Sequence, residues 1–403
     1  MDVTRIRSDF PILQKEIKGK PIIYMDSACM SLKPKQVIDA MLEYYEEFPA
    51  CAGRSIHKLS HWVEESRRNA RDEMKQFIGA KKSEEVVFTR NTTEGMNLVL
   101  NSFPLGPGDK ILTTDREHNS SLVPSQLIAK RKGAEHHVVL SNSDYTFNMD
   151  NFLGAMTPDV KLISFVYSSN LDGYTLPVNE IIGAAHDNDT MVLLDAAQTA
   201  PHHKLDVRKL DVDFLALSGH KMLGPTGTGV LYVKEEHYDV LEPFMVGGDT
   251  VDWSTYDNHK FLDPPERFEA GLQNYASELG LAAAAKYLRK IGLDKIERHE
   301  QKLNRIVNDG FSEIENMHFV GVKNPDQRGG ITAFNLGRLN CHDVAMIMNR
   351  NYGVMVRSGQ HCVHSWFAAR GIEGSVRSSL YLYNTGEEAA VLVEAAKEIA
   401  KLH

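Results

Sequence analysis

Between about residues 85 and 235 the chain alternates two hydrophobic patterns. Short runs rich in β-branched residues stand at Val86–Thr89, Lys110–Thr114, Val138–Leu140, Leu162–Val166, Met191–Leu194, Phe214–Leu217 and Gly229–Val233. Several are apolar at successive positions rather than at every second one, the pattern of a strand covered on both faces. Helical stretches lie between most of them, at Thr93–Asn101, Ser121–Lys132 and Asn179–Asp187. This alternation predicts an α/β layer on a mostly parallel sheet.

After Gly271 the texture changes. An Ala-rich helix is expected at Glu278–Lys290 and a second at Leu293–Phe311. A strand at Ile331–Asn335, a helix at His342–Arg350 and a final helix at Glu387–Leu402 follow. The expected division is an N-terminal arm over 1–20 packing on the small domain, a large domain over 21–294 and a smaller α+β domain over 295–403. Tyr24–Ser27 is expected to open the large domain.

Charge and composition narrow the function classes. The net charge is −9 and hydrophobic residues make up 42% of the chain. That balance excludes a disordered chain and disfavours nucleic acid or an anionic membrane as a general partner. No stretch has the roughly 18 uncharged apolar residues of a membrane helix. The charged N-terminus does not read as a signal peptide. Cys29, Cys51, Cys341 and Cys362 form no C-x-x-C and no zinc or disulfide spacing. A soluble, cytoplasmic protein with free thiols is expected.

In a parallel sheet, ligands gather at the carboxyl ends of strands and at helix N-termini. Three such places carry chemistry here. Ser218-Gly219-His220-Lys221 follows one strand and runs into a glycine-rich segment that is neither a Walker A loop nor a Rossmann fingerprint. Lys221 reads either as a turn residue or as an amine that a carbonyl compound could take up. Asp195 follows four apolar residues, so it either caps the next turn or needs a cationic partner. Asn91-Thr92-Thr93-Glu94 opens a helix, as a capping box or as a phosphate cradle.

Together these parts suit pyridoxal phosphate, and here the chain resembles a known family. Its motifs are Arg54-Ser55-Ile56-His57, Asn91–Gly95, Glu117-His118-Asn119, Ser169-Asn170, Asp195–Gln198, Ser218–Lys221, Arg267–Gly271, Arg357–Cys362 and Val376–Leu380. They resemble those of fold-type I pyridoxal-phosphate enzymes of the class V aminotransferase group. More narrowly they resemble the group II, SUF-type cysteine desulfurases.

The resemblance implies a large domain with a mostly parallel seven-stranded sheet. It implies that Lys221 holds pyridoxal 5'-phosphate covalently and moves the proton at the substrate Cα. Asp195 would pair the pyridinium nitrogen, Gln198 the ring hydroxyl oxygen, and His118 would stack on the ring. Thr92, Thr93, Ser218 and His220 would hold the phosphate, with Asn170 near the substrate. Arg377 would bind the substrate carboxylate, with Arg357 and His57 at the substrate end and His57 within reach of a neighbouring subunit. Cys362 would take sulfur from L-cysteine as a persulfide, releasing L-alanine.

The implied partners are a second copy of the chain and a sulfur acceptor or scaffold protein in iron–sulfur or other sulfur-cofactor assembly. A short interval between Cys362 and Arg377 points to group II. The alternative is a selenocysteine lyase acting on L-selenocysteine, or an aminotransferase or epimerase in which Cys362 is incidental. A pyridoxal-phosphate-binding partner without turnover is disfavoured by the retained nucleophile. Cys29, Cys51 and Cys341 are expected to be buried, inert thiols. His57 and His61 have metal-like spacing, and His361, Cys362 and His364 cluster similarly, but no metal is expected.

Four positions depart from the family pattern. Leu272 stands where a threonine often reaches the partner's phosphate. Gln360 and Val363 flank the nucleophile, and Asp172 adds a charge expected near the substrate.

Overall fold

The computed structural model describes residues 1–53 and 55–401. Arg54 of the Arg54–His57 motif and Leu402, the expected end of the last helix, lie outside the described residues. The seven apolar runs form one sheet. Its strands are β1 (Val86–Thr89), β2 (Lys110–Thr114), β3 (Glu135–Val139), β4 (Val160–Val166), β5 (Met191–Asp195), β6 (Phe214–Ser218) and β7 (Gly229–Val233). They lie in the order β1-β7-β6-β5-β4-β2-β3. β7 is antiparallel to both neighbours, β1 and β6. The remaining pairs, from β6 to β3, are parallel.

Burial explains the apolar runs. β1, β6 and β7 are buried along their whole length, and β5 is buried but for Met191. One expectation shifts here. The strand predicted at Val138–Leu140 is Glu135–Val139, with Leu140 outside it and exposed. β3 is an edge strand, half exposed, so its polar first residues hid it.

Helices cover the sheet. Asn91 caps Thr92–Ser102, its side chain accepting from the Glu94 amide at 3.0 Å. His118 caps Asn119–Lys132 through Nδ1, and Gly133 ends that helix in the left-handed region at φ 72°. Lys35–Glu47 and Lys58–Ile78 are two further helices, ahead of the strand–helix alternation. Lys35–Glu47 is amphipathic, with Val37, Ile38, Met41, Leu42, Tyr44 and Tyr45 at helical spacing, although only Val37 is fully buried.

The C-terminal part carries a second sheet: β8 (Met317–Phe319), β9 (Ile331–Leu336), β10 (Arg357–Gly359) and β11 (Ser375–Ser379). It is antiparallel throughout, in the order β8-β9-β11-β10. The final helix spans Gly386–Ala400. The helix expected at His342–Arg350 is Cys341–Ile347, continued by a wider π-type turn over Met348–Tyr352 that Gly353 closes. Ile23–Tyr24, expected with the large domain, instead pairs in parallel with Val354–Met355.

Two features join the parts. Helix Leu293–Ser312 has Leu293 and Ile296 in the core around the large sheet, whereas Leu303, Val307 and Phe311 sit in the core of the small sheet. The arm also touches both. Arg7 pairs with Glu388 at 2.8 Å, while the Phe10 ring meets Tyr287 and Tyr383.

Asp172 does not extend toward the substrate end. It is buried against Arg116 at 3.0 Å, and its carboxylate accepts from the Tyr174 and Val322 amides. Val322 follows β8, so the pair ties the two sheets together. Gly321 passes so close, at φ 101°, that a Cβ there would strike the Asp172 carboxylate.

Asp172→Ala leaves the buried Arg116 charge unpaired. It should cost about 3–5 kcal/mol, read as a lower urea midpoint. Adding Arg116→Met should recover part of the loss, and additive losses would contradict the pairing.

Candidate active site

The carboxyl ends of the parallel strands frame one cavity of about 220 Å³. Each strand delivers a side chain because the chain turns where the apolar run stops. Asn91, Thr92 and Thr93 follow β1, and His118 follows β2. Asn170 follows β4, Asp195 ends β5, and Ser218, His220 and Lys221 end or follow β6. The small sheet supplies the remaining wall: Arg357 on β10, Arg377 on β11 and Cys362 in the loop between them.

The turn bearing Lys221 is closely built. A Cβ at Gly219 would lie 2.8 Å from Thr228, and one at Gly224 would lie 2.9 Å from the Gly219 carbonyl oxygen. Lys33 Nζ donates to the His220 carbonyl oxygen at 3.0 Å and fixes the turn from outside.

Charges in the cavity are poorly solvated. Burial holds the Lys221 ammonium below its ordinary pKa, opposed by Asp195. Burial raises the Asp195 carboxyl, opposed by Lys221. Neither makes an ion pair among the described residues. Asp195 does cap a turn, accepting from the Ala197 amide at 2.9 Å, so the capping reading and the charge reading both hold. Burial, followed by Lys221 and Arg377, pushes His118 down to about 3, so its ring is neutral at pH 7. Burial lowers His220 to about 4.

Hydroxyls join the strand ends. Thr92 and Ser218 Oγ atoms lie 2.7 Å apart, and the Ser218 hydroxyl accepts from the Thr92 amide. Thr93 bonds Ser120, a cavity residue that sequence motifs do not single out. These hydroxyls stand by the N-termini of Thr92–Ser102 and Asn119–Lys132, where the helix dipoles favour an anion.

Arg357 and Arg377 are direct cross-strand partners. Like charges in that relation repel unless an anion lies between them. Arg377 is buried, so it is not a surface residue of the small sheet. It reaches Asp26 at 3.4 Å and donates to the Asn170 carbonyl oxygen at 2.8 Å.

The nucleophile candidate sits on a strained turn. His361 and Cys362 are consecutive non-glycine residues in the left-handed region, at φ 50° and 62°. Such residues cost on the order of 1–3 kcal/mol each and persist only where neighbours hold them. Here Asn170 Nδ2 donates to the His361 carbonyl oxygen at 2.7 Å, and the Asn119 amide donates to that of Cys362 at 2.8 Å. Burial lowers His361 to about 2, and its Nε2 meets Ser375 Oγ at 2.9 Å. The flanking departures support this turn. Gln360 Nε2 donates to the Glu373 carbonyl oxygen, and Val363 packs with Leu171, Trp366 and Phe367.

His57 does not line the cavity: it caps Lys58–Ile78, exposed, accepting from the Ser60 amide. Cys29 is not packed in a core but lines the cavity beside Arg357. Cys51 is exposed rather than buried, whereas Cys341 is partly buried on the small core. Among the described residues, no group of three or more His, Cys, Asp or Glu could hold a metal ion.

The Aminotransferase class-V family profile matches residues 23–392. A probable cysteine desulfurase of Halobacterium salinarum is 38% identical over 100% of this chain and 97% of its own. A cysteine desulfurase of Salmonella newport is 39% identical over 99% and 98%. The solved apo cysteine desulfurase of Thermococcus onnurineus superposes with a TM-score of 0.94 at 38% identity, covering 99% and 98%. This chain belongs to the cysteine desulfurases of the class-V aminotransferase family.

Cysteine desulfurases of this family are pyridoxal-phosphate enzymes, and the cavity fits that group. Gln198 Oε1 and Asn170 Oδ1 are buried without a partner on its walls. An anion cradle, an unpaired buried carboxylate and an unpaired buried amine match the phosphate, ring nitrogen and aldehyde of the cofactor. Lys221, Asp195, Gln198, Ser218 and Thr92 would hold it.

Beside the cavity, Glu117 is buried, and its Oε1 accepts from Thr114 and from the Val166 amide. Burial raises its carboxyl from 4.5 to about 8. A raised acid supports the folded state fully below its unfolded pKa and loses that support as pH rises through the folded one. Glu117→Gln should therefore gain stability relative to wild type as pH climbs from about 5 to about 8. Urea unfolding across that range measures it, and a flat difference would contradict it.

Proposed function

We propose that this enzyme is a group II cysteine desulfurase that stores the sulfur of L-cysteine as a persulfide on Cys362. The observation carrying this reading is that the Cys362 thiol, Lys221 and the Arg357–Arg377 pair line one cavity. Bound pyridoxal phosphate supplies an electron sink for the bonds at the substrate Cα.

The chain's own residues do the rest. Arg377 and Arg357 bind the substrate carboxylate, and a planar guanidinium suits that bidentate contact. Lys221, its ammonium destabilised by burial, takes the proton from the substrate Cα and returns it. Neutral His118 brings no charge to the site, and because its Nδ1 accepts from the Ser120 amide its ring proton lies on Nε2, where it can donate. Cys362 Sγ attacks the substrate sulfur. The substrate C–S bond breaks, an S–S bond forms on Cys362, and protonation of the carbon leaves alanine. The clamped turn aims the thiol before substrate arrives.

The same reading includes a homodimer, with His57 serving the site of the neighbouring copy. Ile56, Leu59, Trp62 and Leu272 are exposed large apolar side chains, which suits an interface. Leu272 cannot donate to a phosphate, and Asn274 is engaged as the cap of Tyr275–Ile291. Phosphate binding therefore rests on Thr92, Thr93, Ser218 and His220. A sulfur acceptor or scaffold protein serving iron–sulfur cluster assembly in the cytoplasm completes the proposal. Among the described residues, no helix is long and apolar enough to cross a membrane.

Alanine and sulfide assays on wild type and Cys362→Ala test it. The variant should keep the cofactor's visible band yet lose alanine formation from L-cysteine. Unchanged alanine formation would replace the reading with an aminotransferase or lyase. Retained alanine formation from L-selenocysteine alone would indicate the selenocysteine lyase.

A further inference from the structure

The cavity holds a second thiol. Cys29 and Cys362 line it together, from segments far apart in sequence. Arg357 donates to Cys29 Sγ at 2.7 Å across 328 residues of chain. Lys221 lines the same cavity.

Cys29 is rigidly held. The Ala28 amide donates to Ser379 Oγ at 2.9 Å, and Gln198 donates to the Ala28 carbonyl oxygen at 2.8 Å. The Cys29 amide closes a turn on the Asp26 carbonyl oxygen. The segment is thus fixed to the small sheet on one side and to the β5 end on the other. A mobile surface thiol would have no such fixation.

We propose that Cys29 is a second sulfur-carrying residue, taking the outer sulfur of the Cys362 persulfide by thiol exchange inside the cavity. The proposal rests on the Cys362 reading above. Cys29 Sγ, as thiolate, attacks the outer sulfur. A bond forms between Cys29 Sγ and that sulfur, and the bond to Cys362 Sγ breaks. Cys362 leaves as thiolate, and the proton lost by the Cys29 thiol balances the one Cys362 regains. The sulfane sulfur keeps its oxidation level, so no oxidant or reductant is needed. Attack requires an anionic sulfur, and Arg357 holds a fixed positive charge at hydrogen-bonding distance from it.

The exchange has a functional result. It returns Cys362 to its starting state while the first sulfur waits on Cys29. One subunit can then complete a second turnover before any acceptor arrives. Alanine released without acceptor should approach two equivalents per subunit, against one when Cys29 is absent.

Holoenzyme is mixed with heavy-sulfur L-cysteine and no acceptor, quenched with excess iodoacetamide at successive times, digested and read by mass spectrometry. In wild type, heavy sulfur should appear first on the Cys362 peptide and then on the Cys29 peptide. Cys29→Ala should label Cys362 alone and halve the alanine burst. Cys362→Ala should label neither. Heavy sulfur confined to Cys362 in wild type at every time would overturn the relay and leave the Cys362 reading intact. Heavy sulfur on Cys29 in Cys362→Ala would also overturn it, since Cys29 would then take sulfur straight from substrate. Alanine formed with no sulfur on Cys362 would sink the underlying reading instead.

Discussion

The attraction between Lys221 and Asp195, acting across a cavity in which both are poorly solvated, is the constraint on which the site depends. Each charge is destabilised by burial, and each partly relieves the other. Neither touches the other closely enough to form an ion pair, so both stay available to a third group. That arrangement is costly for an empty protein and favourable for one holding a molecule with a basic ring nitrogen and an aldehyde. Parallel strands make it possible, because their carboxyl ends bring separate loops to one face while apolar helices seal the other sides.

A second constraint couples the two sheets at the nucleophile. The turn carrying Cys362 belongs to the small sheet, yet its carbonyls are held by Asn119 and Asn170 of the large one. Arg377 closes the circuit by bonding the Asn170 carbonyl oxygen. The carboxylate-binding wall and the thiol are therefore positioned by one set of contacts. A change that loosens Asn170 reaches both at once.

Much of this was legible in the chain. The buried strands announced themselves because two covered faces demand apolar residues at every position. Lys221, Asp195 and the Asn91–Glu94 segment announced themselves because each follows such a strand, whereas Arg377 and Cys362 were legible only through the family resemblance. What stayed hidden was either half exposed or long-range. β3 begins with Glu135, His136 and His137, and an edge strand tolerates them. Lys35–Glu47 is amphipathic but lies outside the strand–helix alternation. Asp172 carries no sign in sequence of its Arg116 partner, 56 residues away. Cys29 lies in no motif, and its contact with Arg357 exists only after folding. His57 was read from a motif that the single chain does not bring to its own cavity.

Helix Leu293–Ser312 has a mechanical consequence. Its 20 residues span about 30 Å at the usual rise. One half is seated in each core, so it acts as a stiff axle between the sheets. Separating the sheets would bend the helix or expose apolar side chains at one end. Any relative movement of the two sheets therefore has to carry this helix with it.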